Sequence, residues 1–107
     1  MSDVKIFELI KAIGCAVIKA AHDRFEFEIV DNEEYIPALK ASIEAIITSS
    51  STFIDPSIQK DLGLSLRKYA LELFVDLWLR DGNEIEDDQG PVIEKKRATK
   101  LFNKIYG

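Results

Sequence analysis

The chain has 107 residues, 47% hydrophobic and 31% charged, with only five glycines and three prolines. Such a length suits one domain with its own core, the apolar fraction excludes a disordered chain, and the dominance of Leu, Ile, Ala, Lys and Glu favours helices over a loop-rich β fold. The net charge of −5 is uneven: residues 23–34 and 81–88 each carry −5, whereas residues 89–107 carry +4, a separation that points to electrostatic pairing within the chain or between copies.

A single all-α domain over residues 1–107 is therefore expected, a small bundle of about four helices. Ser2 and Asp3 can cap a first helix over about 3–22. Ile6, Leu9, Ile10, Ile13, Ala16, Val17 and Ala20 fall at helical spacing and are expected to face inward, with Lys5, Glu8, Lys11, Lys19 and His22 on the wet side. Gly14 lowers helix propensity and suggests the close approach of another helix. Cys15 stands in an apolar run and reads as a small buried thiol. As the one cysteine it excludes an intrachain disulfide, which fits a reduced, intracellular setting.

Phe25, Phe27 and Ile29 alternate with Glu26 and Glu28, the pattern of a short extended segment. We read it as a linker packing its aromatics on the helices. The alternative is a strand completed by another subunit. Asp31 and Glu34 form a capping-box pattern, but Pro37 would sit deep in the helix it opens. The expectation is a turn over 31–35 and a second helix over about 36–49, with Leu39, Ile43, Ile46 and Ile47 inward.

Asp55-Pro56 reads as an N-cap followed by a first-turn proline. The third helix is expected from Pro56 to about Arg80, bent near Gly63. Its second half is apolar on almost every side apart from a stripe at Lys68, Glu72, Asp76 and Arg80, so it should be the central, most buried helix. Asp81-Gly82 stops it, an acidic loop follows, and Gly90-Pro91 opens a basic last helix over about 91–106. Ile93, Leu101, Phe102 and Ile105 share one face of that helix.

No catalytic, cofactor or metal site is expected. His22 and Asp23 are adjacent on a helix and so diverge, and a surface histidine near a helix C-terminus is the simpler reading. Counted from Asp81, the acidic loop offers Ile85, Glu86 and Val92 where a calcium loop needs an oxygen ligand, glycine and glutamate. One Cys and one His cannot build a tetrahedral zinc site, and no glycine-rich phosphate loop occurs. The basic last helix supports at most backbone contact with DNA. No secretory leader pattern and no membrane span is read.

The run Asp31-Asn-Glu-Glu-Tyr-Ile, the Asp55-Pro56 cap and the apolar Leu73-Phe-Val-Asp-Leu-Trp-Leu-Arg, followed by a charged loop and a basic helix, resemble the small helical head–tail connector (adaptor, head-completion) proteins of tailed bacteriophages, over residues 31–105. The resemblance implies a structural, non-catalytic subunit of the virion, a homo-oligomer ringing a portal-like partner with DNA passing through the lumen. The alternative is a small acidic inhibitor or immunity-type protein that blocks a partner. Partner-binding residues are expected at Phe25, Phe27, Glu84, Glu86, Asp87, Asp88, Lys95, Lys96, Arg97 and Lys100.

Overall fold

The computed structural model describes residues 3–26, 32–81 and 90–107, which form four helices: α1 (Asp3–Glu26), α2 (Asn32–Ser50), α3 (Pro56–Asp81) and α4 (Gly90–Tyr106). The fold is a small all-α bundle, and the described residues include no strand. The core is built from regular stripes. α3 buries Leu62, Leu66, Ala70 and Phe74, each four residues apart, and α2 buries Tyr35, Ile36, Leu39 and Ile43. Four-residue steps place side chains along one face of a helix. α2 and α3 each touch all the other helices, whereas α1 and α4 do not touch each other among the described residues. The bundle thus has a central pair, α2–α3, with α1 on one flank and α4 on the other.

Two caps explain how the chain turns from α2 into α3, and one glycine explains how closely α1 meets α3. Ser50 ends α2 by donating its hydroxyl to the Ile47 carbonyl at 2.9 Å. Asp55 then caps α3, its Oδ1 accepting from the Ile58 amide at 3.1 Å and from the Ser57 hydroxyl at 2.6 Å. Those two donors, the Ser57 hydroxyl foremost, hold the Asp55 carboxyl below its ordinary pKa. At Gly14 an added Cβ would lie 2.9 Å from a Leu66 methyl, so α3 does approach α1 where the glycine leaves room.

Several expectations need correction. Arg24, Phe25 and Glu26 are helical, part of an α1 four residues longer than the spacing suggested. Phe25 meets the Tyr35 ring edge-on at 5.8 Å from within that helix, so an aromatic can find the core without leaving the helix. Phe27, Glu28 and Ile29 lie outside the described residues. α2 begins at Asn32 and carries Pro37 inside it. Proline is costly in a helix interior, but here it is only the sixth residue. It withholds one amide from the Glu33 carbonyl, while the turn it would otherwise replace buries Tyr35 and Ile36. α3 runs unbroken as helix through Gly63.

The inward face of α1 is also rotated from the expected one. Gly14, Ile18 and His22 are buried, at four-residue steps, whereas Leu9, Ile13 and Val17 are 53%, 54% and 42% exposed. Ala16 and Ala20 are exposed as well. Apolar residues cover most of the α1 circumference, and the close approach permitted by Gly14 selects which side is covered. His22, expected on the wet side, has its Nδ1 2.7 Å from the buried Tyr35 hydroxyl.

Candidate protein-docking surfaces

The α4 flank is anchored by Ala98 and Phe102, both fully buried and four residues apart. The Phe102 ring packs 6.1 Å from Phe74 and stacks on Tyr106 at 5.3 Å. The Arg67 guanidinium lies 4.4 Å from the Tyr106 ring centroid, with Lys40 on the same ring at 5.3 Å. Burial raises the Tyr106 pKa, against the opposing pull of Arg67. Near the start of α4, the Trp78 indole N–H donates to Glu94 Oε2 at 2.8 Å, and Arg97 donates to Glu94 Oε1 at 3.0 Å. One carboxylate therefore ties α3 to α4 and orients Arg97.

That anchoring turns Lys95, Lys96 and Lys100 outward, all exposed, along a shallow groove that also includes Ile93 and Asn103. Ile93 is 45% exposed rather than joining Phe102 in the core. A cationic helix face with an apolar edge can attract an acidic surface electrostatically and hold it by burial.

The α1 flank has the opposite chemistry. Ile13 and Val17 line an open groove with Ala45, Ile46 and Phe53, and Phe53 is 69% exposed in the α2–α3 connection. Leu9, Ala12, Ala16 and Ala20 continue this apolar surface around the outer side of α1. Scattered exposed apolar residues are ordinary, but a contiguous patch is the mark of an interaction surface.

Of the residues expected to bind partners, Lys95, Lys96 and Lys100 come together on one face. Arg97 stands beside them but is engaged by Glu94 of its own chain. Phe25 is half-buried against Tyr35, with the Arg24 guanidinium 5.9 Å from its ring, so part of its surface packs within its own chain. Phe27, Glu84, Glu86, Asp87 and Asp88 lie outside the described residues. The exposure of the α1 outer face and of Phe53 was not expected. The signal available for Phe53 was a lone phenylalanine directly after Ser49-Ser-Ser-Thr, where no helical face could absorb it.

Cys15 is only partly buried; burial still raises its thiol pKa, with Lys11 pulling the other way. Among the described residues no group of His, Cys, Asp and Glu could hold a metal ion, and no helix is long and apolar enough to cross a membrane. No family model, curated protein or solved structure matches the chain.

Proposed function

We propose that this chain is a structural, non-catalytic subunit that docks protein on two opposite flanks, a connector between chains in the manner of the phage head–tail adaptors it resembles. The observation that carries the reading is the separation of α1 from α4 by the α2–α3 pair: one flank is apolar, the other basic. A connector needs two surfaces that do not compete, and chemically different surfaces cannot be confused by one partner. The basic face takes an acidic surface, either on a portal-like protein or on the next copy, where the segments 23–34 and 81–88 supply the complementary charge. A contact between two different surfaces is heterologous, and heterologous contacts close into rings when the rotation permits.

The test is charge reversal of Lys95, Lys96 and Lys100 to Glu, leaving Arg97 to hold Glu94. The monomer should keep its helical circular dichroism and melting temperature, because the three side chains are exposed. Binding to an acidic partner surface, read as assembly mass, should be lost. Retained assembly would remove the basic face from the account.

A further inference from the structure

The outer face of α1 has a pattern that the docking role alone does not require. Lys5, Leu9, Ala12, Ala16, Lys19 and Asp23 follow one another by alternating steps of four and three residues. That spacing is the seam of a two-helix packing. It lies opposite the buried Gly14, Ile18 and His22, so it faces away from the bundle; its side chains are exposed, and that of Asp23 is 46% so. The middle of the seam is apolar, with small residues at its centre that allow two backbones close together. Its ends are charged with opposite sign, Lys5 at one and Asp23 at the other.

We infer that this seam docks a second copy of the same chain, α1 against α1, antiparallel about a two-fold axis at the level of Gly14. Charge complementarity selects the occupant. In such a pair, seam positions equally distant from the axis meet, flanking positions meet with an offset of a residue or so, and each flank of the seam meets the same flank of the other copy. Lys5 then meets Asp23 of the second copy, and Glu8 meets Lys19 of the second copy. Each contact occurs twice, so four oppositely charged pairs frame the interface and no like pair is formed along it. Between them Ala12 meets Ala16 of the second copy, Ile13 meets its own counterpart, and Leu9 fits between Ala20 and the methylene stem of Lys19 of the second copy. A parallel pair would set Lys5 on Lys5, Glu8 on Glu8 and Asp23 on Asp23. The charges thus fix direction and register, while the apolar middle supplies attraction. Within one chain Lys19 and Asp23 form an ion pair, which keeps both side chains on this face.

This inference specifies the occupant of the apolar flank and rests on the two-flank reading only for its use. Its test leaves α4 untouched. In the full chain, Lys19→Glu with Asp23→Lys preserves an ion pair within the helix but places like charges across the interface. Lys5→Glu with Glu8→Lys keeps the net charge and likewise places like charges across the interface, from the other end. Sedimentation equilibrium should show the natural chain with a concentration-dependent monomer–dimer step, the dimers joining into larger assemblies in low salt, and each double variant with association in that step about 100-fold weaker or more, at unchanged melting temperature of the monomer. An equimolar mixture of the two variants should restore the dimer, because every crossing pair is then opposite in sign. A monomeric natural chain, dimers indifferent to either swap, or a mixture that stays monomeric would each overturn the antiparallel α1 contact. Loss of assembly on reversing Lys95, Lys96 and Lys100, with the dimer intact, would separate the fate of the basic face from that of this seam.

Discussion

His22 and Tyr35 are hydrogen-bonded through Nδ1 and the phenolic oxygen at 2.7 Å, both side chains buried where α1 meets α2. The Tyr35 ring in turn lies 5.8 Å from Phe25 and 5.8 Å from Phe74, so this one side chain joins three helices. Tyr35→Phe should keep the ring packing and remove the hydrogen bond. A loss of about 1 kcal/mol is expected, read as a lower urea midpoint with unchanged slope. An unchanged midpoint would mean that the hydroxyl contributes nothing.

Phe74 is the centre of the aromatic core, 5.8 Å from Trp78 and 6.1 Å from Phe102. Phe74→Ala should cost about 3–5 kcal/mol, as truncating a buried phenylalanine does. Trp78 is only half-buried and holds Glu94, so Trp78→Phe should cost less, about 1–3 kcal/mol for one hydrogen bond to a charged acceptor. Thermal melts of the two variants should rank in that order.

Two glycines should respond with opposite sign to the same substitution. Alanine at either gains up to about 1 kcal/mol of helix propensity. At Gly14 the new methyl would press on Leu66, which is fully buried and 2.9 Å away, so overpacking of about 1–3 kcal/mol wins and Gly14→Ala destabilises. At Gly63 the neighbour is the tip of the half-buried Ile47 at 3.0 Å, which can move aside, so Gly63→Ala stabilises. Differential scanning calorimetry of both variants checks the pair.

The α3 cap carries a pH signature. The folded state lowers the Asp55 pKa through the Ser57 hydroxyl and the Ile58 amide. Its contribution is therefore complete above the ordinary carboxylate range, about pH 4, and is lost as pH falls through the lower folded value. Asp55→Asn retains a capping oxygen without the charge. The gap in melting temperature between natural protein and variant should be widest near neutral pH and close in acid. A gap that widens in acid would contradict the cap.

Much of the fold was legible where a local rule and a tertiary contact agree. Asp55-Pro56 announces a helix start, and the cap geometry is there. Gly14 suggested a neighbour, and Leu66 is that neighbour. Legibility failed where tertiary burial overrode a local preference. Pro37 argued against helix over 31–35, but burying Tyr35 and Ile36 favours it. The alternation around Phe25 suggested an extended segment, yet a continued helix carries Phe25 to Tyr35. The exposed face of α4 was visible as a basic cluster, although the Trp78–Glu94–Arg97 link that orients it joins residues far apart in sequence. The exposure of the outer face of α1 was hidden because apolar residues at helical spacing look alike whether they face a core or solvent.

A connector must use both its basic and its apolar flank in assembly. Sedimentation of the natural chain in low salt and in about 1 M salt, where the Debye length falls to about 3 Å, tests this most directly. We expect assemblies larger than a dimer in low salt. High salt should break them down to the dimer, because the α4 contact is steered by exposed charge while the α1 seam retains its apolar middle. A mass that is the same in both, or a chain that stays monomeric throughout, would contradict the connector reading.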